Sequence, residues 1–587
     1  MPRYLPFALL ALTTASLAAA PAVRIILPER FRLLTRQYFD LRIEAYGLTN
    51  ASATLVLRDA NGKDLSSQFG TADEVTTDND QDAGNLDKAW VYRAKSFSDE
   101  GIKTLVAEVS DPGGKASATQ KIGVQRFRVK TGPKKNIILF IGDAMGEAYR
   151  DAGRDVLGSA GNRLRGGFFD QLLEMDRMPS SGMVLTHAAT GLVPDSANTA
   201  SAWCMGNKTT IGMLNVFPDN NDWRQSSAAL LDNPRVETLW SYLKRLHGYK
   251  TGIISTAHIT DATPAAEGGY TASRELTFDI ARQFVDGVFS PGPEFDVILG
   301  GGRYEFEQRT LNQAGDTRNL IQELVAKGYH FAGNRTELNA PVTAPDKLLG
   351  LFADSTMTVT YDKLGYSRPQ DEGSTFDPNF PNQPFLDEMT SRAIATLSKD
   401  NAPFILMVEG ASIDKQSHQN QAAGTIWEVI ELDRAVGVGR AFAKANTQRK
   451  TLVLATADHN QSMQVLGVVQ ATLAGATENF RAEDGFFGII GSTGGFPNYE
   501  FDPQTGYPRN DNLYRLAVGF RTHEHTASPV PVTAEGPGAS LFTGVFDQTD
   551  LFFKMARILD SNTAKLDRLE QERAKLKIVD QNYATGD

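Results

Sequence analysis

Residues 136–143 read NIILFIGD, an apolar run of strand length that ends in a glycine and a carboxylate. Similar apolar runs recur along the chain, and longer stretches with helical spacing separate them. They lie at residues 251–255, 295–299, 404–408 and 451–455. Runs that are apolar on both faces predict strands of a parallel sheet that is covered on both sides. The sequence therefore predicts an α/β fold with a largely parallel central sheet flanked by helices.

Acidic residues and histidines follow these predicted strands. The set is Asp143, His258, Asp261, Glu409, Asp414, His418, Asp458 and His459. Ligands of open α/β sheets bind outside the carboxyl ends of the strands, so we expect these side chains to lie near one another. A buried group of carboxylates is costly unless cations neutralise it. Each residue alone has a purely structural explanation, but together they predict a metal site.

The spacing of these residues divides them into two groups. Asp414 and His418 are one helical turn apart, and His525 from a later loop completes the first group. The second group is Asp143, Asp458 and His459. Imidazole combined with carboxylate suits Zn²⁺, whereas carboxylate with hydroxyl and water suits Mg²⁺. The set offers both kinds of ligand.

A serine at the start of a predicted helix is the candidate nucleophile. Residues 194–203 read PDSANTASAW, which begins with a helix-capping pattern, and Gly206 predicts the helix end. Ser196 falls in the first turn, where the helix amides and the helix dipole stabilise an anion. The alternative is a serine that only caps the helix, and the neighbouring metal cluster favours the nucleophile.

The first part of the chain has a different pattern. Apolar and polar residues alternate at 39–45 and 53–57, and turn residues such as those at 112–114 interrupt them. We predict a small antiparallel, immunoglobulin-like β-sandwich over residues 22–130, with a catalytic domain over 131–587. Every candidate ligand lies after the boundary, so the sandwich is expected to be dispensable for the chemistry. Residues 333–384 and 461–522, rich in Gly, Pro, Asn and Asp, are expected to be insertions over one end of the sheet.

Composition and the amino terminus bear on the compartment. The chain has 587 residues, 41% of them hydrophobic, and a net charge of −11, which makes nucleic acid an unlikely partner. Residues 1–20 have a basic start, an apolar stretch and a small-x-small ending, the pattern of a cleaved signal peptide. A membrane anchor is the alternative, but the stretch is short for a span of roughly 30 Å. We expect a periplasmic or secreted protein with no membrane span after cleavage.

Seven motifs in order resemble the alkaline phosphatase family. The motifs are residues 136–146, 195–197, 261–266, 273–274, 408–418, 456–459 and 524–526. They span about residues 135–541, and the first 130 residues lie outside the resemblance. This sequence departs from the family pattern at three places: Ala144, Pro194 and Asn198 stand where the family usually has a glycine, a threonine and an alanine. The resemblance implies the alkaline-phosphatase-like fold for the region after the sandwich.

The resemblance also implies residue roles. Ser196 corresponds to the nucleophile that becomes phosphorylated, Arg274 to the guanidinium that binds two phosphate oxygens, and Lys415 to a residue that helps to hold phosphate. One zinc would be bound by Asp414, His418 and His525, and the second by Asp143, Asp458 and His459. One magnesium would be bound by Asp143, Asp261, Thr263 and Glu409. The implied activity is hydrolysis of small phosphate monoesters through phosphoserine, with release of inorganic phosphate, by a possible homodimer.

Three other functions are alternatives to this one. A sulfatase of the same superfamily needs a C/S-x-P-x-R motif, and the sequence after Cys204 does not provide it. A two-zinc phosphodiesterase shares the two zinc sites but ordinarily lacks the third metal site and the arginine. A non-catalytic surface adhesin with a vestigial phosphatase fold is the remaining alternative, against which the intact nucleophile and ligand set argue.

Overall fold

The computed structural model describes most of the chain after the predicted signal peptide. The described residues are 21–77, 86–129, 134–161, 164–165, 168–169, 171–308, 316–340, 343–366, 373–446, 449–468, 499–509 and 516–560. The predicted signal peptide, the domain boundary near residue 131 and a predicted terminal helix at 566–578 lie outside these residues. Within the described part, no helix is both long and apolar enough to span a membrane.

The N-terminal region forms two four-stranded sheets, as the alternating pattern predicts. The strands are β1 (Ala22–Ile25), β2 (Phe31–Leu34), β3 (Phe39–Leu48), β4 (Thr54–Arg58), β5 (Glu74–Thr77), β6 (Leu86–Lys95), β7 (Gly101–Asp111) and β8 (Gly114–Gln125). One sheet has the order β1-β3-β6-β5 and the other β2-β8-β7-β4. Every pairing is antiparallel except that of β2 with β8. Apolar side chains from both sheets form one core between them.

Sixteen further strands are described after the sandwich. They are β9 (Asn136–Gly142), β10 (Leu164–Arg165), β11 (Phe168–Phe169), β12 (Ser180–Leu185), β13 (Lys250–His258), β14 (Val297–Gly301), β15 (His330–Ala332), β16 (Leu348–Leu351), β17 (Phe404–Gly410), β18 (Thr451–Ala457), β19 (Met463–Val468), β20 (Glu500–Phe501), β21 (Pro508–Arg509), β22 (Leu516–Phe520), β23 (Val530–Glu535) and β24 (Gly544–Asp547). Ten of them form the central sheet, in the order β15-β16-β14-β13-β17-β9-β18-β23-β12-β24.

The central sheet is largely parallel, as predicted. In its described strands only β23 runs antiparallel to its two neighbours, β18 and β12. The apolar runs that decide the fold are its central strands: β9, β17 and β18 are buried at every residue. Because β13, β17, β9 and β18 lie side by side and run in the same direction, the residues that follow them meet at one edge.

Helices cover the sheet. They are α1 (Ser66–Phe69), α2 (Glu147–Ser159), α3 (Ser196–Met205), α4 (Ser227–Leu231), α5 (Leu239–His247), α6 (Ala262–Ala266), α7 (Thr277–Asp286), α8 (Arg303–Glu307), α9 (Leu320–Ala326), α10 (Arg335–Leu338), α11 (Thr360–Lys363), α12 (Leu386–Ser398), α13 (Ser412–Ser417), α14 (Ala422–Ala445) and α15 (Thr549–Leu559). The longest, α14, is buried along much of its length, as expected for a helix enclosed by others.

The predicted insertion at 333–384 needs correction. It contains β16, which pairs in parallel with β14 and is buried at every residue, so part of this stretch belongs to the central sheet. The strand was not predicted because it is only four residues long and is flanked by turn residues. In the other predicted insertion, β19 pairs with β22 as a two-stranded ribbon, and residues 469–498 between them lie outside the described part.

The sandwich shares its core with the region after it. Met205 at the end of α3, Phe217 and Val236 are buried among the apolar side chains of the two N-terminal sheets. Phe39 of β3 also forms a backbone bridge with Val236. The sandwich therefore packs directly on the helix that carries Ser196, which the sequence did not predict.

Buried charges reinforce this contact. Arg42 of β3 is almost completely buried and forms ion pairs with Glu44 on its own strand, at 2.8 Å, and with Asp219, at 3.0 Å. A second arginine of the sandwich, Arg93, lies 2.9 Å from Asp40 and also donates to the carbonyls of Asp232 and Asn233. Because both arginines reach loops beyond residue 200, the two regions are held together by polar as well as apolar contacts.

Candidate active site

The helix that carries Ser196 starts at the edge of the sheet where the site lies. Asp195 caps α3: its Oδ1 accepts from the backbone N–H of Asn198 at 3.0 Å, and the Asn198 side chain accepts from the Asp195 N–H at 2.8 Å. Gly206 ends the helix in a left-handed conformation, as predicted. Ser196 is buried in the first turn, where the free backbone amides of the helix favour a negative charge. The departure at Asn198 thus supplies half of the cap.

Arg274 reaches the same place from the loop before α7. Its guanidinium lies 3.3 Å from Asp195 Oδ2 and 2.7 Å from Asp261 Oδ1. These two ion pairs orient the planar fork beside the start of α3, although the buried environment opposes the charge. A guanidinium held in this way can bind two oxygens of one phosphate.

Asp414, His418 and His525 come together as the sequence predicts. One ligand atom from each lies within 4.8 Å of the others. His418 Nδ1 donates to the carbonyl of His523, and His525 Nδ1 donates to that of Pro194 at 2.9 Å. Because Nδ1 of both rings is occupied by a carbonyl, Nε2 of both faces Asp414, at 3.3 and 3.5 Å. This arrangement of imidazoles, fixed by carbonyls on the far side, fits a zinc site.

Asp143, Asp458 and His459 form the second group, with ligand atoms again within 4.8 Å of one another. His459 Nε2 lies 3.4 Å from Asp143 Oδ1, 3.2 Å from Asp458 Oδ2 and 3.3 Å from Ser196 Oγ. The two carboxylate oxygens are buried and make no hydrogen bond. Unsatisfied buried carboxylate oxygens that converge on an imidazole fit a divalent cation.

The pKa values of these groups reflect their crowding. Burial raises the pKa of Asp143 well above its usual range, and the charges of Asp414 and Asp458 add to this rise. Burial also raises the pKa of Asp458 to about 6. For Asp414 burial acts in the same direction, but hydrogen bonds from His418 and His525 lower its pKa well below the usual range. Three carboxylates this close need positive charge to stay ionised together.

The residues assigned to magnesium are less tightly grouped. Both oxygens of Asp261 are taken by cationic side chains, Oδ1 by Arg274 and Oδ2 by Lys415, each at 2.7 Å. Glu409 accepts from Ser255 Oγ, and burial raises its pKa to about 8. Thr263 Oγ1 is buried without a hydrogen-bond partner. A buried hydroxyl without a partner and a buried carboxyl group are ligand types that suit a cation with oxygen ligands. Asp261 instead uses both of its oxygens to accept from Arg274 and Lys415.

Some residues of the site were not predicted from the sequence. Gln461 Nε2 donates to Asp414 Oδ1 at 2.6 Å, and Ser255 binds Glu409. A polar residue two positions after His459 was the only signal for Gln461. His258 lies 3.7 Å from Asp261, and the carbonyl of His523 accepts from His418 Nδ1, so both histidines lie beside the ligand groups.

Another departure from the family pattern, Ala144, lies beside Asp143. Ala144 has a φ of 63°, in the left-handed region where the family has glycine. Its backbone N–H donates to Asp458 Oδ1 at 3.0 Å. The alanine therefore adopts the turn that a glycine would adopt, and the carboxylates on either side of the turn remain together.

A mostly parallel α/β sheet, a serine at a helix N-terminus and two His-carboxylate groups beside it define a metal-dependent hydrolase of phosphate esters. The profile described as Alkaline phosphatase matches residues 134–561. The alkaline phosphatase of Escherichia coli is 32% identical to the chain over 77% of this chain and 92% of its own length. Alkaline phosphatase H of Pseudomonas aeruginosa is 32% identical over 77% and 91%. The chain belongs to the alkaline phosphatase family, and it is an enzyme.

Solved structures show the same fold. The alkaline phosphatase of the Antarctic bacterium TAB5 superposes with a TM-score of 0.51, covering 73% of this chain and 99% of that chain at 23% identity. A His-to-Asp variant of that enzyme has Mg bound in its M3 site. The predicted alkaline-phosphatase-like fold is thereby confirmed, with the small N-terminal sheets in front of it.

Proposed function

We propose that this phosphatase hydrolyses small phosphate monoesters through a phosphoserine at Ser196 and releases inorganic phosphate. The observation that carries the proposal is that Ser196 lies beside both the second ligand group and Arg274. His459 of the second group lies 3.3 Å from Ser196 Oγ, and Asp195, the residue before Ser196, binds Arg274. A nucleophile, a phosphate-binding guanidinium and a site for cations therefore face one volume.

The chain's own residues account for binding and orientation. The planar guanidinium of Arg274 is positioned to donate hydrogen bonds to two oxygens of a phosphate, and the amides of the first turn of α3 stabilise negative charge beside Ser196. Lys415 lies against Asp261 and brings a further positive charge to the same side. Ser196 Oγ then attacks phosphorus in line with the leaving alcohol, forming the Oγ–P bond as the ester P–O bond breaks. A water molecule cleaves the Oγ–P bond in the second half of the reaction.

Two Zn²⁺ and one Mg²⁺ are the proposed cofactors. Asp414, His418 and His525 would hold the first zinc, and Asp143, Asp458 and His459 the second. Glu409, Thr263, Asp143 and Asp261 are proposed for magnesium. When bound, such cations lower the pKa of a coordinated hydroxyl and neutralise charge on the leaving oxygen.

The strongest competing function is that of a phosphodiesterase with the same two zinc groups. The arginine favours the monoesterase. A monoester brings two negative charges and three terminal oxygens, so it gains more than a diester from Arg274 and from a third cation. The adhesin alternative is not supported, because the chain is an enzyme of the phosphatase family.

The location and assembly of the protein follow as proposals. We place it in the periplasm or outside the cell, after removal of residues 1–20, where phosphate esters arrive from the medium. A homodimer remains a prediction from the family resemblance.

The test compares kcat/KM for p-nitrophenyl phosphate and bis-p-nitrophenyl phosphate in the wild type, Arg274→Ala and Glu409→Gln. We expect the wild type to prefer the monoester and both variants to lose most on it. Acid-quenched wild type is expected to carry phosphate on Ser196. Equal efficiency on the diester with no loss in either variant would favour the phosphodiesterase, and a label on another residue would overturn the phosphoserine.

A further inference from the structure

A buried carboxyl group outside the metal groups connects the helix of Ser196 to the helix of Thr263. Glu267 directly follows α6, and its side chain is fully buried. Its Oε1 accepts from Trp203 Nε1 at 3.1 Å, and its Oε2 accepts from the thiol of Cys204 at 3.0 Å. Both donors lie in the last turn of α3. The contact therefore joins the C-terminal end of α3 to the C-terminal end of α6.

The backbone of Glu267 holds a third element. Its carbonyl accepts from Thr238 Oγ1 at 2.7 Å, and the same hydroxyl caps α5 by accepting from the N–H of Ser241. Because α3 also packs against both α6 and α5, Glu267 lies where three helices meet. A change at this residue affects the relative placement of all three.

Burial of the Glu267 carboxyl group is unfavourable for the free energy of folding. Trp203 and Cys204 are its side-chain partners in the described structure, and both are neutral. Burial raises the pKa of Glu267 to about 8, and the charge of Glu409 acts in the same direction. A leucine would occupy the space without the penalty of burying a carboxyl group. Buried polar groups of this kind can select one arrangement of packed elements over others.

The other end of α3 is also fixed by polar contacts. Asp195 caps the helix, and its Oδ2 accepts from the N–H of Gly212 at 3.1 Å and from Arg274. Ser196 lies two helical turns from Trp203, about 10 Å along the axis. A rigid helix transmits a rotation or a shift at one end to the other end, so the bonds of Glu267 act on the position of Ser196 Oγ.

We propose that Glu267 is a positioning residue for the reaction, which sets the placement of α3 relative to α6 and thereby of Ser196 relative to Thr263 and its neighbours. This inference rests on the proposed function. It does not require Glu267 to touch substrate or a cation. It requires the acceptor atoms of its side chain, and these distinguish it from a residue that only fills space.

The test compares Glu267→Leu with Glu267→Gln in the full-length, zinc-loaded protein. We expect the leucine variant to lose about 10- to 100-fold in kcat/KM for p-nitrophenyl phosphate, because a displacement of this kind costs that much. Its inhibition constant for inorganic phosphate is expected to rise by a smaller factor than kcat/KM falls, because Arg274 and Lys415, which lie outside α3, also contribute to phosphate binding. The glutamine variant keeps an acceptor for Trp203 and is expected to stay within about threefold of the wild type.

Glu294→Leu is the matched control. Glu294 is also a buried carboxyl group held by neutral donors, Ser241 Oγ and the N–H of Val288, but it makes no described contact with α3. We expect this variant to leave kcat/KM close to that of the wild type.

The outcomes separate the inference from the proposed function. A wild type that does not hydrolyse the ester overturns both. An active wild type with an equally active Glu267→Leu variant overturns the positioning role alone, and so does an equal loss in Glu294→Leu or a failure of glutamine to restore activity. Trp203→Phe, which removes the indole N–H and keeps an aromatic ring, replaces the leucine variant if that variant does not fold. Its kcat/KM is expected to fall at least threefold, and an unchanged value overturns the inference.

Discussion

His459 Nε2 lies 3.3 Å from Ser196 Oγ, and this contact joins the second residue after β18 to the first residue of α3. The same ring nitrogen lies beside Asp143 and Asp458. The hydroxyl of Ser196 and the second ligand group are thereby fixed relative to each other by two rigid elements, a central strand and a buried helix. The reaction is expected to depend on Ser196 Oγ, whereas binding of a cation is expected to depend on the side chains of Asp143, Asp458 and His459.

Replacement of Ser196 by alanine is expected to affect the reaction but not the binding of a cation. We expect Ser196→Ala to lose roughly 10³-fold or more in kcat/KM, because the nucleophile is removed, and to keep its zinc, because the carboxylates and imidazoles remain. Turnover of p-nitrophenyl phosphate and zinc content by mass spectrometry measure the two effects. The matched control is Ser201→Ala on the same helix, whose hydroxyl only accepts from Asn215 N–H and donates to the Met213 carbonyl. Normal turnover by Ser196→Ala would contradict the assignment.

Arg274 is expected to contribute to the binding of phosphate itself. Arg274→Ala should weaken inhibition by inorganic phosphate about tenfold or more, since product and substrate offer the same oxygens to the guanidinium. The measurement is the inhibition constant for phosphate in steady-state assays. Arg282→Ala serves as a control, because this half-exposed arginine pairs with Asp279 on its own helix. Equal inhibition constants for the wild type and Arg274→Ala would exclude a direct contact with phosphate.

The ion pairs of Arg42 predict a large effect on stability. Arg42→Met removes the cation from buried Asp219 and leaves Glu44 with the pair it makes with Arg24, and we expect a loss of about 3–5 kcal/mol in the free energy of unfolding. Arg24 also pairs with Glu44, but it is 55% exposed, so Arg24→Met is expected to cost less than about 1 kcal/mol. Urea unfolding curves of both variants measure the difference. Similar losses would show that the burial of Arg42 does not matter.

Glu294 predicts a dependence of stability on pH. Burial raises its pKa to about 7 in the folded protein, against about 4.3 in an unfolded chain. Between these values the folded state holds a proton that the unfolded state has lost, so this group destabilises the fold as pH rises, by on the order of 3 kcal/mol in full. Glu294→Gln removes the titration. The melting temperature of this variant relative to the wild type is therefore expected to rise from pH 5 to pH 8.

Glu500→Gln is the control for that measurement, because Glu500 is exposed to solvent. It is expected to leave the pH dependence of the melting temperature unchanged. A constant difference between Glu294→Gln and the wild type across the same range would show that the buried carboxyl group does not titrate there.

The site residues at the ends of the central strands could be predicted from the sequence, because these strands are apolar on both faces. Asp143, Glu409 and Asp458 sit at the ends of such runs, and a parallel sheet brings these ends together whatever the loops do. The grouping of Asp414 with His418 followed from helical spacing, and α13 with its next residue has that spacing. These predictions depended only on periodicity and on the direction of the strands.

Contacts between distant segments were not readable. The ion pairs of Arg274 with Asp195 and Asp261 depend on how a loop lies against α3, and no local pattern encodes that. The antiparallel strand β23 and the short strand β16 were also missed, because β23 contains a proline, β16 has only four residues and both lie among turn residues. Glu267 gave no signal either, because a single carboxyl group in a small-residue segment is typical of a solvated turn.

The shared core of the sandwich has a consequence for the order of folding. A chain is synthesised from its N-terminus, and a domain can fold during synthesis only once all of its core has emerged. Phe217 and Val236, which fill the core of the first two sheets, are made long after the last strand of the sandwich, β8. The first two sheets therefore reach their final packing only after the helix with Ser196 has emerged. Replacement of this region by an unrelated sandwich would therefore expose the apolar side chains of Phe217 and Val236 to solvent.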